Sequence, residues 1–220
     1  RQFNIGGKKQ MLSAITTSTI CDYPMADETP FSTELKDGHA SVSGWLRCPK
    51  EILKNGLRVD AVHGNVAIDD YTNYSAQVDS LGLFELDVPL IGTQEVFLNI
   101  YTRQNEYVGR VNLMLTLGEK YFMLKDYEQA KTLFMGDDAR LQNELQAELP
   151  YVEYMGYIET PVSDDSVRVM AQQWIQSDER SQARTKDFLA QHPNISKRVR
   201  NYVRESCRLD VCSQLLMMHY

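Results

Sequence analysis

Proline and cysteine are scarce in this 220-residue chain, at seven and four residues. Four cysteines are too few to staple a disulfide scaffold. Cys21, Cys48, Cys207 and Cys212 contain no Cys-x-x-Cys pair. Cys207 and Cys212 stand five apart, about 140° around a helix, and do not readily bond to each other within one. Buried free thiols are the expected state, with a Cys21–Cys48 bridge the alternative in an oxidising compartment. Net positive charge is also missing. The formal charge is −7, the opposite of a general nucleic-acid binder. No apolar run approaches the ~18 residues of a membrane span. An initiator Met and the apolar core of a signal peptide are absent from "RQFNIGGKKQ", so the natural start is expected to have been removed. "CSQLLMMHY" lacks the Gly, Pro or basic residues that close a helix, and a piece of a longer protein is expected.

Catalytic signatures are equally sparse. There is no Gly-x-Ser-x-Gly elbow and no His-Glu-x-x-His helix. "GGKK" at 6–9 lacks the spacing and strand–helix context of a phosphate loop, and a flexible terminal segment is the better reading. His39, His63, His192 and His219 show no metal-ligand spacing. His39 and His63 could meet across neighbouring strands, but without a third ligand they read as surface or turn histidines. No cofactor and no metal is expected.

What is present falls into two periodicities, with 43% hydrophobic and 24% charged residues. From about His39 to Leu124 the chain alternates like strands. "HASVSGWLR" sets Ala40, Val42, Gly44 and Leu46 on one face, and "LRVDAVHG" does the same for Leu57, Val59, Ala61 and His63. "SAQVDSLGLFELDVPL" reads as a hairpin around Ser80-Leu81-Gly82. "EVFLNIYT", "EYVGRVNLMLTL" and "KYFMLKDY" follow, rich in β-branched and aromatic residues. About seven short strands predict an antiparallel β-sandwich, immunoglobulin-like or prealbumin-like.

Beyond Gly136 the period becomes helical. Leu141, Leu145, Leu149 and Val152 share one face. A second helix carries Val167, Met170, Ala171, Trp174, Ile175, Phe188 and Leu189 and stops at Pro193; a third buries Val199, Tyr202, Val203 and Cys207. Arg200, Arg204 and Arg208 form a basic stripe, read as a solvated helix face. The fold class is therefore α+β, a sandwich followed by a helical bundle. The expected division is an extended segment at 1–37, the sandwich at 38–135 and the helical region at 136–220.

Two stretches look like sites. Gly136-Asp137-Asp138 precedes a helical run, but a phosphate there would meet like charge. The carboxylate spacing of a calcium loop is missing. Helix initiation, with Asp as N-cap, is the stronger reading. "AIDDYTNYS" sets Asp69 and Asp70 beside Tyr71 and Tyr74, and aromatic rings beside carboxylates suit sugars. Those four residues are the candidate ligand surface, against the plainer reading of a strand-connecting loop.

Three stretches carry a resemblance: "AQVDSLGLFELDVPL", with its Asp-x-x-Gly-x-Phe turn, then "LMLTLGEKYFML", then "TLFMGDDARLQNEL". Their succession is similar to the region preceding the thioredoxin domain in TlpA-like thiol-disulfide oxidoreductases of the bacterial cell envelope. The likeness covers about residues 38–150; Leu117 stands before Gly118 where the pattern usually has Pro. It implies a non-catalytic N-terminal region that positions the reductase or recognises client proteins. Its partners would be such a client or the protein's own missing C-terminal domain. Its place would be periplasmic or associated with the outer membrane, and the resemblance allows a lipid-anchored parent. No catalytic residue transfers, because these 220 residues contain no Cys-x-x-Cys. The alternative is a stand-alone binding module for a glycan or peptide. An enzyme in its own right would need His39, His63 and acidic groups to converge.

Overall fold

A computed structural model describes residues 2–5, 8–11, 23–65, 70–146 and 164–217. They are mostly β, with two antiparallel-rich sheets and a few helices. Two compact units divide the chain: residues 1–20 with 30–147, and residues 21–29 with 148–220.

The first unit begins with a two-stranded ribbon, β1 (Gln2–Ile5) and β2 (Lys8–Met11), paired antiparallel. Lys8 and Lys9 of the "GGKK" stretch thus lie in a strand. Eight further strands follow: β3 (Asp37–Arg47), β4 (Leu57–Asn65), β5 (Asp70–Val78), β6 (Leu83–Ile91), β7 (Gln94–Thr102), β8 (Tyr107–Leu115), β9 (Lys120–Asp126) and β10 (Lys131–Gly136). A short helix, α1 (Lys50–Lys54), joins β3 to β4. One sheet has the order β10-β9-β3-β6 and the other β5-β4-β7-β8. β3 and β9 run parallel, a departure from the all-antiparallel expectation; the other pairs are antiparallel.

Alternation fixes which face each strand buries. Ala40, Val42 and Leu46 of β3, Phe84, Leu86 and Val88 of β6, and Leu57, Val59 and Ala61 of β4 all join one apolar cluster. Val96, Leu98 and Ile100 of β7 belong to the same cluster, so the two sheets share a core.

The expected hairpin around Ser80-Leu81-Gly82 is corrected. Its arms lie in different sheets, β5 beside β4 and β6 beside β3. The turn between them is nonetheless built as its sequence suggests. Asp79 Oδ1 accepts the N–H groups of Leu81 and Leu83, both at 2.8 Å. Gly82 holds φ +86°, and a Cβ there would come within 2.4 Å of the Leu46 carbonyl oxygen. Side-chain alternation is the same whether a strand pairs with its sequence neighbour or crosses to the opposite sheet.

At the edge formed by β8 and β10 sits α2 (Ala139–Leu145), which belongs to this unit and not to the helical region expected from residue 136. Its N-cap Asp138 has φ 47° and makes no side-chain capping bond. The Asp137 carboxylate instead accepts the Lys120 N–H at 3.0 Å, and the Asp137 N–H binds the Lys120 carbonyl at 3.1 Å. Gly136-Asp137-Asp138 starts a helix, as expected, but without a carboxylate cap. Leu149 and Val152, expected on the same helix, lie outside the described residues.

In the second unit α3 (Asp164–Gln191) and α4 (Lys197–Met217) are joined by a turn in which Ile195 and Ser196 are buried. The Ser196 hydroxyl accepts the Val199 N–H at 3.3 Å and its carbonyl accepts that of Arg200 at 2.9 Å, opening α4. The segment 23–29 is tied to this turn. The Asp27 carbonyl takes the Lys197 N–H at 2.7 Å, and Asn194 Nδ2 donates to the Tyr23 carbonyl at 2.9 Å. On α3 the buried face carries hydroxyls: Ser177, Ser181 and Thr185 at i, i+4 and i+8. Ile175 is exposed, contrary to the apolar stripe expected from its period, and Phe188 and Leu189 are half-buried. The side chains of Val167, Met170, Ala171, Trp174 and Cys207 lie outside the described ones. Among the described residues no helix is long and apolar enough to cross a membrane.

Candidate functional site

The second sheet ends at β5 and the first at β6, both edge strands. Beside this edge lies a cleft of about 520 Å³, lined by residues of β3, β4, β5, β6 and β7. That volume falls within the ~300–1,000 Å³ usual for small-ligand sites.

His63 is its least ordinary member. The alternation of β4 sends this side chain to the same face as Leu57, Val59 and Ala61, and it is only 6% exposed. Neither Nδ1 nor Nε2 has a hydrogen-bond partner, although buried polar atoms nearly always find one. Burial pushes the imidazole below its usual value, since the charged form loses solvation. The Pro89 carbonyl pulls the other way, yet its geometry completes no hydrogen bond to either nitrogen. A neutral imidazole offers one donor and one acceptor. The Tyr74 ring lies nearly parallel to His63, 14° between planes and 6.0 Å between centroids.

Around these two, Asp37, His39, Leu90 and Gln94 are among the lining residues. His39 Nδ1 meets Asp87 Oδ2 at 2.8 Å on the exposed side of the first sheet. Gln94 Oε1 accepts the Ile91 N–H at 3.0 Å.

Of the four expected ligand residues, Tyr74 lies in this cleft. Asp70 and Tyr71 are on β5, paired in register with Asn65 and Gly64, and Thr72 pairs with His63. The side chains of Asp70 and Tyr71, and Asp69 as a whole, lie outside the described residues. The sequence candidate and the cleft share the β4–β5 hairpin, which carries both His63 and Tyr74. Reading His63 as a surface or turn residue is corrected, and the signal was its place on the apolar face of "LRVDAVHG". Asp37, Pro89 and Gln94 carried no comparable signal. They come from strands that only the tertiary fold brings to β4.

Two other clusters have a structural explanation. Tyr121 donates its hydroxyl to Glu119 at 2.6 Å and accepts the Thr116 N–H at 3.0 Å, joining the β8–β9 turn to the core. Burial first, with Asp138 and Asp137 nearby, raises the Glu119 carboxyl above its usual value. Cys48 carries a free, buried thiol whose pKa burial raises, the reverse of a reactive thiolate. Among the described residues no group of His, Cys, Asp or Glu is arranged to hold a metal ion. Comparison with protein-family models and with curated proteins gives no match.

Proposed function

We propose that this chain is the non-catalytic N-terminal region of a TlpA-like thiol-disulfide oxidoreductase of the bacterial cell envelope, periplasmic or outer-membrane-associated. In this reading the two sheets are a β-sandwich and α3 and α4 belong to a helical bundle. Together they position the redox domain or recognise its client proteins. One observation carries the proposal. The stretches bearing the resemblance all serve as joints: the Asp79–Gly82 turn passes between sheets, Glu119 and Tyr121 fasten the next crossing, and α2 is hydrogen-bonded to edge strands of both. Residues so used make a rigid shelf, while Cys48 is unsuited to attack a disulfide. The coding sequence beyond Tyr220 provides the test. A thioredoxin-like segment with Cys-x-x-Cys is expected, and a continuation without one overturns the proposal.

A second reading, a stand-alone binding module for a glycan or peptide, is favoured by the cleft at His63 and Tyr74. Its test is a ligand screen by thermal shift on the 220-residue chain. Stabilisation that His63→Phe removes supports it, and no stabilisation by any sugar or peptide counts against it.

A further inference from the structure

We infer that the outer face of the sheet β10-β9-β3-β6 is a self-association surface, on which a second copy of this chain packs about a two-fold axis, whichever of the two readings above holds.

Strand register places one apolar row across all four strands of this sheet. Leu133 of β10 pairs with Leu124 of β9, Leu124 with Trp45 of β3, and Trp45 with Leu83 of β6. Met135 and Phe122 pair beside this row. Side chains alternate along a strand, and Phe134, Met123, Leu46 and Phe84 face the core, so these six lie on the outer face. None of the six belongs to the buried core; Leu83 is 42% exposed and the others are half-buried. The solvent face of such a sheet is ordinarily polar. The second sheet follows that rule. On its outer face Asp60 accepts Arg58 Nε and the Ser75 hydroxyl, each at 2.8 Å, and Asn99 accepts Arg110 Nε at 2.8 Å. An apolar stretch confined to the other sheet marks a contact surface.

The charges around the row select the partner. Lys131 precedes Leu133 by two residues on β10, and Glu85 follows Leu83 by two on β6, so both share the outer face. Neither has an ion pair or a side-chain hydrogen bond among the described residues. Arg47 and Asp126, at the same end of the sheet as Lys131, are already bonded to each other at 3.0 Å. Lys131 and Glu85 therefore hold opposite corners on opposite sides of the row, about 14 Å apart both across the strands and along them. Their midpoint falls between Leu124 and Trp45. A two-fold axis through that midpoint, lying in the interface, sets Lys131 of each copy over Glu85 of the other. It crosses the two sheets at near right angles, one of the two usual sheet packings. A partner carrying a single sign of charge would satisfy one corner and repel the other; a copy satisfies both. Four short strands offer a small footprint, so the pair belongs to the weak, concentration-dependent class.

The test is sedimentation velocity on the full chain at low ionic strength, from micromolar to near-millimolar concentration. A monomer–dimer equilibrium is expected. Lys131→Glu and Glu85→Lys should each weaken it by about tenfold or more, since each sets like charges together at both corners. The double variant Lys131→Glu, Glu85→Lys should recover most of the affinity. Leu124→Gln should weaken the pair without changing charge, and melting temperatures check that every variant is folded. A chain that is monomeric at every concentration overturns the inference and leaves the face to a different partner. A dimer indifferent to both charge reversals, or one that the double variant fails to restore, overturns it as well.

Discussion

The Asn143 carboxamide satisfies both backbone polar groups of Phe134: Oδ1 accepts the Phe134 N–H at 2.8 Å and Nδ2 donates to its carbonyl at 3.0 Å. One side chain thus does for edge strand β10 what a neighbouring strand would do. The preceding residue, Gln142, treats Met114 of β8 the same way, accepting its N–H at 3.1 Å and donating to its carbonyl at 2.6 Å. Two adjacent amides therefore clamp one edge strand from each sheet. Replacing Asn143 by Leu leaves a buried N–H and a buried carbonyl unpaired, which costs about 2–4 kcal/mol. Urea unfolding of Asn143→Leu should show this loss, and Asn143→Asp should retain only the accepting half. An unchanged midpoint for Asn143→Leu would mean that the clamp is incidental.

Gly44 faces the Phe84 ring so closely that a Cβ on it would stand 2.3 Å from a ring carbon. The ring is buried and cannot swing into solvent. Gly44→Ala should therefore destabilise by about 1–3 kcal/mol or more through overpacking. The double variant Gly44→Ala, Phe84→Leu should recover part of that. Chemical denaturation of the four members of the cycle measures the coupling. Additive losses would show that the contact is relieved by backbone movement instead.

Much of the first unit was legible because burial on one face writes itself into alternate residues. Ala40, Val42, Leu57, Val59 and Ala61 are all where alternation put them. Pairing was not legible. The Asp79–Gly82 turn and the Gly118–Glu119 turn look like hairpin turns, yet each passes the chain from one sheet to the other. A local turn fixes the reversal of direction, while the partner is chosen by the distant Trp45 and Leu46, whose indole N–H and backbone N–H bind the carbonyls of Leu81 and Gly82. The helices show the converse failure. The apolar period of α3 favoured Ile175, but the face that is buried carries Ser177, Ser181 and Thr185. Small hydroxyls permit close approach of helices without leaving a hydrophobic signal.

The Glu119 carboxyl has a folded value raised above its ordinary 4.5, first by burial, although the Tyr121 hydroxyl pulls it back down. A raised carboxyl binds its proton more tightly in the folded state. Its contribution to stability is complete below the unfolded value and is lost as pH rises through the folded one. Glu119→Gln keeps an acceptor for Tyr121 and removes the titration. Relative to that variant, the wild type should lose stability as pH rises from about 4.5 towards neutrality. Paired urea titrations across that range measure the difference. A constant difference between the two proteins contradicts the expectation.

His63 has the opposite sign. Burial lowers its folded pKa below the ordinary 6.5, so the unfolded chain takes up the proton first. The stability associated with a neutral His63 is present above 6.5 and is lost as pH falls through the depressed folded value. His63→Phe removes the titration and also two buried nitrogens that have no partner. The variant should be at least as stable as wild type at neutral pH, and its advantage should widen as pH falls below 6.5. Tyr74→Leu separates packing from titration, because it removes the neighbouring ring and leaves the imidazole in place. It should lower stability by a similar amount at every pH. If His63→Phe instead unfolds the unit at neutral pH, the imidazole itself holds the strand in place and the expectation fails.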